Sequence, residues 1–155
     1  MIKNVHEVTN LQSSILISMT EKFKLTRAAE LETLPVFRDY IQSVCDRFGI
    51  SKEICFGLQL SADEACTNVI EHGYAGMDPG SIILEMEMQP AKVIMTLTDF
   101  GHPFEPSDAP TPDIDAPIEE RDGSGFGLYF IYSMMDQVDY RSGDDGNPLV
   151  LTKNL

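Results

Sequence analysis

Apolar residues return along this chain with two different periods, and each change of period marks an element. Between residues 30 and 48, Leu34, Phe37, Ile41, Val44 and Phe48 recur at steps of three and four, which predicts an amphipathic helix. Pro35 fits that helix only in its first turn, and Gly49 stops it. Ser51 can cap a second helix running to about Tyr74, with a core stripe of Ile54, Leu58, Ala62, Ala65 and Val69. A polar stripe, Ser61, Glu64 and Asn68, then Glu71 and His72, runs along the same helix at the same spacing. The period then falls to two. SIILEMEM and KVIMTLTD, joined by Gln89, Pro90 and Ala91, predict an antiparallel hairpin, and TEKFKLTR near the N-terminus reads as a further strand. GSGFGLYFIYSMMDQV returns to helical spacing through Leu128, Ile131 and Met135, and VDYRSG and PLVLTKNL close the chain as two strands.

The composite is an α+β two-layer sandwich, a mixed and mostly antiparallel sheet with helices on one face. At 155 residues it suits one domain over 20–155, with 1–19 as an N-terminal extension or arm. Pro103, Pro106, Pro110, Pro112 and Pro117 fall in one acid-rich stretch with few large apolar groups, which predicts a lid at about 102–122.

Composition narrows the chemistry. Hydrophobic residues make up 43% of the chain, enough for a real core. No apolar run is long enough for a membrane span and no signal-peptide pattern opens the chain, so a cytoplasmic protein is expected. The net charge of -14 argues against a nucleic-acid partner, because phosphate backbones require a basic surface. Any polyphosphate must therefore be held locally, by backbone dipoles, a divalent metal and a few basic side chains. Cys45, Cys55 and Cys66 form no C-x-x-C pair and read as buried reduced thiols.

Four features carry candidate chemistry. Asn68 offers a neutral amide oxygen, a hard ligand suited to Mg²⁺ when phosphates and waters complete the shell. Glu64 lies one turn earlier on the same face, where a carboxylate can take a proton from an attacking hydroxyl. Asp99 ends a strand, and its carboxylate can accept from an adenine amino group while rejecting guanine. Gly101 lets the backbone come close to a ring, although a D-x-G by itself is an ordinary turn. Gly123, Gly125 and Gly127 bare the backbone amides at a helix start, where a phosphate would sit. Arg121 is the one Lys or Arg between Gly101 and that helix, a candidate phosphate or partner contact or else a solvated lid residue.

The motifs ADEACTNVIEHGY, LTDFGHPF and GSGFGLYFIYSMMDQV, in this order, resemble the GHKL ATPases with their Bergerat ATP-binding fold. More narrowly, the chain looks like the bacterial anti-sigma factor serine/threonine kinases over roughly residues 20 to 155. The resemblance implies ATP and Mg²⁺ as cofactors, Asn68 as metal ligand, Glu64 as base and Asp99 as adenine recogniser. It implies further nucleotide contacts at Gly101, Gly123, Gly125, Gly127 and Leu128, with Thr152 near the adenine. It also implies an anti-anti-sigma antagonist and a sigma factor as partners, and a homodimer. No G-K-[ST] follows the glycines, and no H-R-D accompanies the DFG, so the P-loop and protein-kinase sets do not apply. A non-catalytic module in which nucleotide only gates a protein partner is the alternative.

Overall fold

A computed structural model describes residues 20–104, 115 and 126–155. Five strands form one sheet: β1 (Glu21–Ala28), β2 (Ser81–Gln89), β3 (Lys92–Asp99), β4 (Gln137–Tyr140) and β5 (Asn147–Asn154). Their order is β1-β2-β3-β5-β4, and each pairing among the described residues is antiparallel. The fold is thus α+β as expected, but the sheet is uniformly antiparallel here rather than mixed. The reason is topological: after α3 the chain enters the sheet at its far edge as β4 and turns back as β5 beside β3. Residues 1–19 and most of the expected lid lie outside the described residues.

Among the described residues, three α-helices accompany the sheet: α1 (Thr33–Phe48), α2 (Lys52–Asn68) and α3 (Phe126–Met134). Pro35 falls in the first turn of α1, where its missing N–H costs nothing. Gly49 ends α1 in the left-handed region at φ 64°, and the N–H of Ile50 returns to the Cys45 carbonyl at 3.0 Å. Ser51 caps α2, its hydroxyl accepting from the Ile54 N–H at 3.3 Å.

α2 stops earlier than its pattern predicts. A single wide π turn, Val69–Gly73, follows it, closed by the Tyr74 N–H donating to the Val69 carbonyl at 3.0 Å. The extra residue in that turn carries Gly73 towards the end of β3, where its carbonyl accepts from the His102 N–H at 2.6 Å.

The core follows from the two-residue period. Ile82, Leu84, Met86 and Met88 of β2 and Val93, Met95 and Leu97 of β3 all point inward, joined by Leu151 of β5. They meet Phe37, Ile41 and Val44 of α1 and Leu58, Ala62 and Ala65 of α2. Each large side chain so buried contributes about 1.5–3 kcal/mol. All three cysteines are free and buried, and burial pushes the Cys66 thiol up to about 12, with Asp63 and Asp99 adding to the effect. Such thiols are unreactive core residues. Among the described residues, no helix is long and apolar enough to cross a membrane.

Tyr74 ties the far end of the helical layer to two strands. Its hydroxyl accepts from the Phe100 N–H at 2.9 Å and donates to the Ser81 carbonyl at 2.8 Å, while its ring lies over Gly80. Tyr74→Phe leaves both backbone groups without that partner. We expect a loss of about 1–3 kcal/mol, read as a lower denaturant midpoint with unchanged slope. An unshifted midpoint would show that water replaces the hydroxyl at no cost.

Candidate functional site

The inward phase of β3 does not stop at its last apolar residue. Val93, Met95 and Leu97 are followed two residues on by Asp99, which is 6% exposed and faces the helical layer like its predecessors. A buried carboxylate at the end of an apolar row requires donors. Two reach Oδ1: the Gly101 N–H at 2.9 Å and the Asn147 side-chain amide at 3.2 Å. Among the described residues, no donor is recorded on Oδ2.

Asp99 opens onto a cleft of about 60 Å³ between the end of α2, α3 and the sheet. Val69, Leu97, Leu128, Ile131, Val138 and Leu149 give it apolar walls, and Asn68 stands at its rim from the last turn of α2. Apolar walls beside a buried carboxylate acceptor suit the edge of a base that carries an exocyclic amino group. Asn68 supplies one neutral oxygen, which fits a hydrated Mg²⁺ carried on phosphates better than an all-protein metal cage.

Glu64 is half-buried one turn before Asn68. It does not line the cleft but packs against the first turn of α3, where a Cβ on Gly127 would lie 2.7 Å from its Oε2. Burial raises the Glu64 carboxyl above its ordinary value, and neighbouring Asp63 adds to the rise. Asp63 is itself engaged by Arg38 at 2.6 Å. Gly57 and Ser61, further back on α2, lie on the same side. A Cβ on Gly57 would sit 3.6 Å from Met134, and Ser61 is fully buried. The tight point of this contact is Gly127, where any side chain would meet the Glu64 carboxylate, whereas a Cβ on Gly57 would make only ordinary contact.

The expected site residues therefore divide. Asn68, Asp99 and Leu128 share the cleft, and Gly127 and Glu64 meet beside it. Arg121, Gly123 and Gly125 lie outside the described residues. At Gly101 a Cβ would overlap the Gly73 carbonyl group, so the fold itself calls for glycine there. Thr152 is misplaced by the expectation. It pairs with Ile94 in the outward phase of β5 and faces away from the helices, whereas Leu149 of the inward phase lines the cleft. His72 is exposed and stands outside the cleft lining.

Several site residues escaped the sequence reading. Gly73, Phe104, Tyr140 and Asn147 belong to loops or strand ends rather than to a motif. Tyr140 holds the chain after the DFG turn, its hydroxyl accepting from the Phe104 N–H at 2.7 Å with the two rings edge to face. The signal for Asn147 was available: extending the inward phase of β5 two residues back from Leu149 reaches it.

The comparisons with known proteins agree with this geometry. Residues 27–153 match the histidine kinase-like ATPase domain. The Serine-protein kinase RsbW of Bacillus cereus is 27% identical over 139 residues, spanning 87% of this chain and 86% of that protein. The RsbW of Bacillus mycoides is similar to the same extent. A solved structure of the RsbU and RsbW domains of a Mycobacterium tuberculosis protein has a TM-score of 0.63 at 16% identity and covers 86% of this chain, a likeness of fold. This chain spans 32% of that longer polypeptide. By the extent of the family match, the chain belongs to the histidine kinase-like ATPase domain family.

Proposed function

We propose that this chain is an ATP-dependent serine/threonine protein kinase of the anti-sigma type, acting on an anti-anti-sigma antagonist and holding a sigma factor. The observation that carries the reading is the half-buried Glu64 carboxylate beside the start of α3, one turn from Asn68. A domain that only binds nucleotide needs no carboxylate at that place. The similarity to RsbW kinases supports the same class of reaction.

Asp99 Oδ2 accepts from the adenine amino group, with the ring between Val69 and the apolar wall of β3 and β5. Asn68 and the N-terminal turn of α3 would hold the phosphates, where the helix dipole favours an anion. Asn68 would hold Mg²⁺, which would supply charge neutralisation at the phosphates. Glu64 takes the proton from the antagonist's hydroxyl as that oxygen bonds to the γ-phosphorus and the bond to the ADP oxygen breaks. A raised Glu64 pKa strengthens the carboxylate as a base. A homodimer is part of this reading by family likeness.

Glu64→Gln should keep ATP affinity within about threefold and lower phosphotransfer about 10²–10⁴-fold, read by intact mass of the antagonist after incubation with Mg-ATP. Transfer at the wild-type rate would refute the base role. Transfer absent from the wild type, with ATP binding intact, would favour a nucleotide-gated binding switch.

The same substitution has a stability signature. A carboxyl whose folded pKa is raised binds its proton more tightly in the folded state. Its penalty is absent below the ordinary glutamate range, grows as pH rises towards the folded value, and is complete above it. Glu64→Gln should therefore be more stable than wild type at pH 7, with the gap closing towards pH 4. Denaturant midpoints at the two pH values check this, and a gap that widens on acidification would contradict it.

Asn68→Ala should abolish most of the Mg²⁺-dependent gain in ATP affinity while leaving Mg²⁺-free binding unchanged. Calorimetric titrations with and without the metal make the comparison. An undiminished Mg²⁺ effect would remove Asn68 as its ligand.

A further inference from the structure

We propose that Asn147 sets the adenine selectivity of the cleft by holding the Asp99 carboxylate in one orientation; this rests on Asp99 being the adenine acceptor. Asn147 is 3% exposed and lies directly opposite Asp99 in the β3–β5 register. Its amide nitrogen donates both to Asp99 Oδ1 at 3.2 Å and to the Gly101 carbonyl at 3.0 Å. Both partners are acceptors, so the amide has only one orientation that satisfies them.

The consequence falls on Asp99. With the Gly101 N–H also on Oδ1, one carboxylate oxygen is saturated from within the protein and the plane of the group is held. The other oxygen is then the one left to accept from a ligand in the cleft that Asp99 lines. A base with an amino group at that edge satisfies it, and a base with a carbonyl there meets two facing acceptors. Asn147 thus acts as a positioning residue whose effect reaches nucleotide only through Asp99.

The backbone before Asn147 is built for this approach. Gly146 has φ 115°, and a Cβ there would lie 2.9 Å from the Phe100 ring and 3.1 Å from the Asp99 carbonyl oxygen. Glycine at that point lets β5 begin against the end of β3, which delivers the Asn147 side chain to the carboxylate.

The test compares ATP with purine riboside 5′-triphosphate, which lacks only the 6-amino group, by calorimetric titration. Asn147→Leu keeps the γ-branched shape but loses the donor. It should weaken ATP about tenfold and leave the purine analogue within about twofold of wild type. In an Asp99→Ala background, adding Asn147→Leu should have no further effect on ATP. Equal losses for both nucleotides would overturn the proposal, since Asn147 would then only brace the loop, as would an unchanged ATP affinity. If Asn147→Leu fails to fold, Asn147→Ser provides the same comparison. If wild-type protein does not prefer ATP to the analogue and Asp99→Ala binds ATP normally, the recognition role of Asp99 fails first and the proposal falls with it.

Discussion

The antiparallel register between β3 and β5 is the constraint on which the site depends. Side chains alternate faces with a period of two, so pairing Asp99 with Asn147 puts both on the helical side together with Met95 and Leu151. A slip of one residue would turn the whole apolar row of β5 to solvent. The core therefore enforces the register, and the register enforces the carboxylate–amide pair. The cost of burying this pair is partly offset, because Asp99 Oδ1 accepts from Asn147 and from the Gly101 N–H while the Asn147 amide also donates to the Gly101 carbonyl.

A second constraint acts through helix packing. Gly127 leaves room between α2 and α3 for the Glu64 carboxylate, which lies half-buried against the start of α3. The same packing narrows the cleft that Leu128 and Ile131 line. One packing decision thus places both the apolar wall and the candidate base. The π turn after Asn68 adds the third side, since its wider radius brings Gly73 beside Asp99 and onto the His102 N–H.

Much of this was legible in the pattern of residues. The helices around Phe37 and Leu58 and the β2–β3 hairpin follow from period alone, and Gly49 and Ser51 end and begin helices as their chemistry dictates. Where Asp99 points was also readable, as the continuation of Val93, Met95 and Leu97. What escaped was tertiary. A π turn has no signature in hydrophobic spacing, so α2 reads as running straight on to Tyr74. Thr152 was assigned by likeness, but its parity with Val150 rather than with Leu149 and Leu151 already excluded it from the inner face. The need for glycine at 101 comes from the backbone of Gly73, twenty-eight residues away in the chain. No local rule reports such an approach.

The acidic charge of the chain gives the placement of Glu64 its sense. A protein of net charge -14 repels a polyphosphate at long range, so any affinity has to come from contacts made at the cleft itself. An ionised carboxylate at the start of α3 would normally add to that repulsion. Burial and the nearby Asp63 favour its protonated form. The pressures that disfavour the charge in the resting protein are those that make the ionised group an avid proton acceptor. Stability lost at Glu64 and basicity gained there are two readings of one desolvated carboxylate.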